Sequence, residues 1–215
     1  MDNLPYLLGA LRDGSLPKCI NKAEVTLAAD YSRNWLDEVA KIVSETFSVP
    51  QERLKIYRTM ANKSKVPCFR LKVYSKELHG KLAKHYRPGS QLYWSTPELA
   101  KSSKKNNLAY IAGFYDAEGG CRNLDRFQSG KTKSFQAWCS IRCKHHAEPN
   151  EPLEFLKNSL QRIGVTSTIY DSDELVMTGI QNIRRFYTKV PLNHPKKKDD
   201  LRKMLIYLGA FSVEA

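Results

Sequence analysis

The chain has 215 residues, 41% of them hydrophobic, which is enough apolar material for a packed core and excludes wholesale disorder. Its formal charge of +13 is shared between the halves, +8 over 1–104 and +5 over 105–215, and this spread points to a long polyanion as partner. No window approaches the roughly 18 apolar residues of a membrane span, the start lacks a signal-peptide profile, and five cysteines, an odd number, fit a reducing, intracellular compartment rather than a disulfide framework.

Residues 4–13 read as a short apolar helix stopped by Gly14. Segments 15–20 and 24–29 are β-prone. From Ser32, suited to the N-cap, Trp35, Val39, Ile42, Val43 and Phe47 recur at helical spacing. Alternating runs over 54–60 and 68–74 flank a polar turn at 61–65 and predict a hairpin. A helix is expected near 75–85, and 95–107 has linker composition with room for one short helix. The same order then recurs. A helix over 108–118 leads to a first strand around 121–123, a polar, basic tip at 125–133 and a long strand over 134–144. Pro152 lies early in a helix expected over 150–163, where proline is tolerated. A hairpin over 166–178 turns at Asp171-Ser172-Asp173, and helices near 180–189 and 197–211 follow. Cys139, Cys143, His145 and His146 do not make a zinc site in this reading. Residues four apart on a strand are roughly 13 Å apart, too far to share one ion bound at about 2.3 Å.

Two segments are one helix written twice. Tyr6-Leu7-Leu8-Gly9-Ala10-Leu11-Arg12-Asp13-Gly14 and Tyr110-Ile111-Ala112-Gly113-Phe114-Tyr115-Asp116-Ala117-Glu118-Gly119 each end in an acid before glycine, and Asp13 and Glu118 lie 105 positions apart. Together with an αββαββα order in each half, this predicts a duplicated α+β domain: repeat one over 1–94, a linker over 95–107, repeat two over 108–215. Gly9-Ala10 and Ala112-Gly113 put small residues where two helices can approach, and Ala117 shares the face of Gly113. An acid at a helix C-terminus faces the negative end of the dipole, and two such acids side by side repel. A divalent cation relieves both. Carboxylate oxygens in an open site favour Mg²⁺, which keeps waters and binds substrate phosphates, and they suit metal-assisted phosphodiester hydrolysis. Asp116 diverges from Glu118 by about 200° around the helix, so it is expected to support packing rather than bind metal.

These residues resemble the LAGLIDADG homing endonucleases. Ile111 to Gly119 aligns position for position with the family word, with Glu118 in the place of the catalytic acid. In the first copy only three residues separate Gly9 from Asp13, where the word has four. Alignment on Asp13-Gly14 puts Leu8 at the packing glycine and Arg12 at a small position, so either the helices cross differently or the register shifts by one. The resemblance implies the monomeric, two-repeat, intron-encoded branch, whose antiparallel sheets form a saddle over double-stranded DNA and which cuts both strands of a long target, leaving 3′ overhangs. It implies a metal site at Asp13 and Glu118 with Gly14 and Gly119, taking Mg²⁺ or Mn²⁺, with Ca²⁺ binding without cleavage.

A lysine in the loop before the last helix is expected to act on the scissile phosphates. The spacing does not choose within the run 196–198; Lys196 and Lys198 are taken as the candidates. Near the end of the long strand, where relatives often have Gln then Lys, Cys143-Lys144 keeps the lysine and Ala29-Asp30 keeps neither, which leaves open whether both strands are cut at one rate. On the long strand Gln136, Trp138, Ser140, Arg142 and Lys144 share the face expected to meet DNA. Lys55, Arg58, Arg70 and Lys72 are the candidates in repeat one. Arg122, Lys131 and Lys133 are further DNA candidates in repeat two, and tips such as Lys131 to Lys133 suit phosphates. Alternatives on the same scaffold are an intron-RNA maturase, with intron RNA as partner, and a DNA-binding module that has lost cleavage.

Overall fold

A computed structural model describes residues 3–18, 24–31, 33–60, 67–121 and 136–210. Two helices occupy its middle. Helix α1 (Leu4–Ala10) starts with Pro5 in its first turn, where a missing N–H costs nothing, and it tightens into a 3₁₀ turn over Leu11–Asp13. Helices α2 (Arg33–Phe47), α3 (Lys76–Ala83) and the short α4 (Glu98–Lys101) precede α5 (Lys104–Glu118), whose first turn is capped by the Ser103 hydroxyl accepting from the Asn106 N–H. Helix α5 therefore begins inside the stretch whose composition suggests a linker. Every residue from Tyr110 to Asp116 is buried, as are residues 5–10 of α1. Helices apolar on all sides are buried on all sides, and these two form the seam between the halves.

Each half adds one antiparallel sheet. Strands β1 (Glu24–Asp30), β2 (Leu54–Met60) and β3 (Pro67–Tyr74) order as β1-β3-β2, and β4 (Gly119–Cys121), β5 (Trp138–Arg142), β6 (Thr168–Tyr170) and β7 (Glu174–Thr178) order as β4-β5-β7-β6. The strand expected at 15–20 is reduced, among the described residues, to single bridges from Ser15 to Thr26 and Leu16 to Gly89. Among the described residues the strand expected over 134–144 forms a ladder over Trp138–Arg142, with single backbone bonds just beyond it from the Gly179 N–H to the Ala137 carbonyl (3.1 Å) and from the Cys143 N–H to the Asp173 carbonyl (2.8 Å). It is ended by the buried Asn150, whose amide donates to the carbonyls of Cys143 (2.6 Å) and Ser172 (2.8 Å) while its oxygen caps helix α6 (Glu151–Arg162). The β6–β7 turn has Asp171 and Ser172 at φ of 48° and 57°, with the Asp173 N–H donating to the Tyr170 carbonyl (3.2 Å), a turn that suits the twist of a hairpin.

Helix α2 covers the first sheet through Trp35, Leu36, Val39, Ala40, Val43 and Phe47; α6 lays Leu153, Leu156 and Leu160 into the same continuous core. Helices α7 (Ile180–Lys189) and α8 (Pro195–Tyr207) close the second half. Helix α8 starts two residues earlier than the spacing predicts because Pro195 is accepted in the first turn and His194 supplies the cap, its Nδ1 accepting from the Lys197 N–H (3.4 Å).

Candidate functional site

The two motif helices cross at Gly9 and Gly113. A Cβ on Gly9 would overlap the Tyr110 carbonyl and lie 2.6 Å from the Phe114 nitrogen; one on Gly113 would overlap the Tyr6 carbonyl and lie 2.8 Å from the Ala10 nitrogen. Each glycine thus faces the residue three before and the residue one after its counterpart, so the crossing is twofold symmetric. The symmetry extends to side chains. The Tyr6 hydroxyl donates to Asp116 Oδ2 (2.8 Å), and Arg12 Nη2 donates to the Tyr110 hydroxyl (3.3 Å). Tyr6 corresponds to Tyr110 and Arg12 to Asp116, so the same contact is made twice with opposite charge.

This sets the register left open by the sequence. The glycines are 104 positions apart and the acids 105, so the first copy is one residue short between glycine and acid. The 3₁₀ turn over Leu11–Asp13 makes up the difference. One α-helical step and three 3₁₀ steps rise about 7.5 Å, as do the five α-helical steps from Gly113 to Glu118, and the two rotations differ by only about 40°. Both acids therefore stand at one height beyond the crossing.

The electrostatics agree. Asp13 is pushed up from 3.8 to about 7, first by burial and next by the charge of Glu118; Lys197 and the Ala29 backbone N–H pull it back. Burial also raises Glu118, against Lys197 and Arg12. Of the lysine run it is Lys197 that reaches the acids. Its amine donates to the carbonyls of Asp116 (2.7 Å), Ala117 (2.8 Å) and Tyr115 (3.3 Å), capping the end of α5, where a cation suits the dipole. Burial lowers its pKa, while Asp116, Asp30, Asp13 and Glu118 raise it. Lys196 pairs instead with Asp200 (2.9 Å) on the exposed side of α8, and Lys198 is exposed. The structure brings Lys197 rather than those two candidates to the acids, and helical spacing explains why. Lys197 lies on the stripe of the buried Leu201, Met204 and Leu205, the signal in the sequence that would have selected it.

Asp116, expected to support packing, and Asp30 position the loop that carries Lys197. Asp116 accepts from the backbone N–H groups of Asn193 (2.8 Å) and His194 (3.1 Å) as well as from Tyr6, tying the loop before α8 to α5. Asp30 lies 2.8 Å from His194 Nε2, and the His194 ring stacks on Trp35 with centroids 5.1 Å apart. With Nδ1 accepting from Lys197, Nε2 carries the proton and donates to Asp30, whose pKa is lowered chiefly by that bond against the effect of burial. On the other side the Gln91 amide donates to the Gly14 carbonyl, so a neutral residue caps the first motif where a lysine caps the second.

Among the described residues no three His, Cys, Asp or Glu converge. The donor set is two half-buried carboxylates that disfavour each other's ionisation, which suits a hard cation that keeps water or phosphate oxygens rather than a closed cage. Such an ion competes with the Asp13 proton. Folded Asp13 holds a proton that the unfolded chain gives up near 3.8, so the folded state binds more protons between about 4 and 7. The stabilisation is complete below that window and is lost as pH rises through 7. Saturating Ca²⁺ is expected to raise the melting temperature by several degrees at pH 8 and far less at pH 5.5. Equal shifts in thermal melts at both pH values would exclude a site on these acids.

The sheet faces sort the other candidates. In repeat one Lys55, Tyr57, Arg70 and Lys72 share the side away from α2, and Lys72 Nζ lies 5.7 Å over the Tyr57 ring and 2.7 Å from Glu24. The exposed Tyr57 was not anticipated. Arg58 is a correction: it pairs with Phe69 and has the parity of Leu54 and Ile56, the face carrying Leu71 and Val73, because three positions along a strand reverse the face. In repeat two Trp138 stacks on Tyr170 (6.4 Å), Arg142 is exposed and pairs with Glu174 (3.4 Å), and Gln136 and Lys144 are exposed beyond the ladder. Arg122, Lys131 and Lys133 lie outside the described residues.

No family model matches the sequence, and no curated protein matches it. Solved structures do. A structure of the homing endonuclease I-DmoI in complex with DNA and Mn aligns at a TM-score of 0.55 and 18% identity, covering 90% of this chain and 98% of that one. The homing endonuclease I-WcaI bound to its DNA recognition sequence aligns at 0.60 and 15%, covering 93% and 85%. The N-terminal LAGLIDADG domain of DUF199/WhiA aligns at 0.57 and 13%, again covering 93% and 85%. The chain has the LAGLIDADG fold, with mixed helix and antiparallel sheet.

Proposed function

We propose that this chain is a site-specific, double-strand DNA endonuclease that works with a divalent cation, Mg²⁺ or Mn²⁺, held by Asp13 and Glu118. The observation that carries this reading is the pairing of two half-buried acids whose heights are matched across a one-residue difference in motif length. When bound, the cation supplies charge neutralisation at the phosphate and a water of lowered pKa. The chain's own residues do the rest. Asp13 and Glu118 hold oxygens in place from two separate helices, with the backbone of Gly14 and Gly119 beside them. Lys197 presents a buried ammonium to the charge that develops on the phosphate, and the Asp116, His194 and Asp30 contacts keep it there. Lys55, Arg70 and Lys72, with Tyr57, and Gln136, Trp138, Arg142 and Lys144 in the other half, offer long polar and aromatic side chains to a duplex lying along both sheets.

The neighbours support the reading in kind: two of those structures are endonucleases with DNA in them, one with Mn. The test is selection of cut sites from a randomised duplex library with Mg²⁺ or Mn²⁺. One long recovered site, with ends carrying 3′ overhangs, is expected. Salt-sensitive duplex binding with no cut recovered would leave the DNA-binding module, and stimulated splicing of a bound intron RNA would favour the maturase.

A contrast within the lysine run tests the catalytic site. Lys197→Met is expected to lower the single-turnover cleavage rate about 100-fold with little change in duplex affinity, whereas Lys196→Met leaves the rate within about threefold. Equal losses for the two would remove Lys197 from the chemistry.

A further inference from the structure

The strand that carries the chain away from Glu118 has little of its own to hold it in the second sheet. Strand β4 is three residues long, lies at the sheet edge, and sets Gly119 opposite Ile141, Gly120 opposite Ser140 and Cys121 opposite Cys139. Glycine brings no side chain to a cross-strand pair. Of these three rungs only the last has side chains on both strands, and both are thiols.

The Cys121 and Cys139 sulfurs lie 3.5 Å apart. Residues directly opposite in an antiparallel ladder have Cα atoms roughly 4.5–5.5 Å apart, inside the roughly 4.4–6.8 Å that a disulfide spans. The sulfurs would close to about 2.05 Å, an approach of roughly 1.5 Å that side-chain rotation can supply. The other described cysteines do not compete. Cys143 is four positions on from Cys139, roughly 13 Å along an extended chain, and Cys68 belongs to β3 of the first sheet.

The surroundings divide the roles of the pair. Cys139 is fully buried, whereas Cys121 is partly exposed. Burial pushes the Cys139 thiol up, so it keeps its proton while Cys121 meets solvent. The Tyr115 hydroxyl stands 3.8 Å from the Cys121 sulfur. Burial raises that phenol as well, so it stays protonated and donates to the sulfur.

We propose that Cys121 and Cys139 form a reversible disulfide that staples β4 to β5, closed by exchange with a small-molecule disulfide such as oxidised glutathione. Cys121 Sγ attacks one sulfur of the oxidant, forms a mixed disulfide and releases one thiol. Cys139 Sγ then attacks Cys121 Sγ, breaks the bond to the remaining half of the oxidant and releases it as a second thiol. Each cysteine gives its proton to one departing thiolate; the pair is oxidised by two electrons and the oxidant is reduced by two. The staple gives the edge strand the attachment that its glycines withhold, three residues past Glu118. It also ties together the ends of segment 122–138, whose sequence carries Arg122, Lys131 and Lys133. The bond requires nothing of the endonuclease reading.

The test incubates the full chain in glutathione buffers of graded oxidised-to-reduced ratio, followed by alkylation, peptide mass mapping and thermal melts. In oxidising buffer a peptide pair joined through Cys121 and Cys139 is expected, with the intact chain lighter by about 2 Da. The melting temperature should rise by about 5 °C or more, and excess reduced glutathione should reverse both changes. Cys121→Ser and Cys139→Ala should show neither change, and Cys68→Ser should show both. Full alkylation of Cys121 and Cys139 in the most oxidising buffer, or a joined pair that excludes either, would overturn the bond. A bond that closes without raising the melting temperature would overturn the staple. If Cys139→Ala does not fold, Cys121→Ser, at the partly exposed position, carries the comparison, and a shift that persists there overturns the assignment. Cleavage is read in none of these arms, so a chain that closes the bond but cuts no library member loses the nuclease alone.

Discussion

Asp13→Asn or Glu118→Gln is expected to lower the rate of the proposed DNA cleavage by more than about 100-fold, to leave duplex affinity within a few-fold, and to make the metal-free protein melt higher. All three results have one cause. Asp13 sits at the end of a helix, half-buried, with Glu118 facing it, and its pKa is carried from 3.8 to about 7. Holding it ionised above pH 7 therefore costs on the order of 4 kcal/mol relative to an isolated aspartate. An amide of the same shape cannot ionise, so that cost vanishes while the packing stays. The gain in stability is expected to be larger at pH 8 than at pH 4.5, because at the lower pH folded Asp13 already carries its proton. Cleavage falls because an amide neither attracts a divalent cation nor answers its charge; metal ligation is at least as sensitive as its supporting contacts, whose loss costs 10- to 100-fold. Duplex affinity should change little, because the proposed contacts lie on the two sheets rather than on the acids. Thermal melts and single-turnover cleavage on one preparation check the set. A variant that cuts normally would sink the proposed site, and one that loses cleavage but melts lower would sink its electrostatic account. Stability withheld at a functional site is a common compromise.

Gly113→Ala strikes the crossing itself. The new Cβ would overlap the Tyr6 carbonyl and sit 2.8 Å from the Ala10 nitrogen, both backbone atoms of a buried helix that no rotamer change can move aside. The helices must separate, which costs about 3 kcal/mol, and any folded molecules hold Asp13 and Glu118 farther apart. A large drop in melting temperature and loss of cleavage in the remaining folded protein are both expected. Gly9→Ala, which meets the Tyr110 carbonyl and the Phe114 nitrogen, should behave alike. Gly80→Ala is the control: it lies within α3 with nothing within 4 Å of its Cβ, so it should stabilise by about 0.8–1 kcal/mol. If Gly113→Ala melts like wild type, the helices do not touch there.

Much of this site is visible in the residues because it is local. An acid before glycine, small residues one turn earlier and an apolar run are all carried within ten positions, and they locate Asp13, Glu118, Gly9 and Gly113. Lys197 was within reach too, since its place on the stripe of Leu201 and Leu205 is a periodicity of α8, although three adjacent lysines hid it. Arg58 failed for the same kind of reason, a face reversed by an odd spacing along β2. The strand expected at 15–20 has the composition for pairing but retains only bridges, because β-propensity needs a partner edge to become a ladder.

The sequence by itself determined the duplication, the two motif helices, their terminal acids and the α+β order, since each depends on a short-range pattern or a repeat. Tertiary structure alone decided how a motif one residue short still matches its twin, that Lys197 caps the end of α5, and that Arg12 of one motif helix meets Tyr110 of the other. Those outcomes depend on pairs such as Lys197 with Asp116 and Arg12 with Tyr110, 81 and 98 positions apart. No local periodicity encodes such pairs, and they exist only once the core has brought α8 against α5 and the two motif helices against each other.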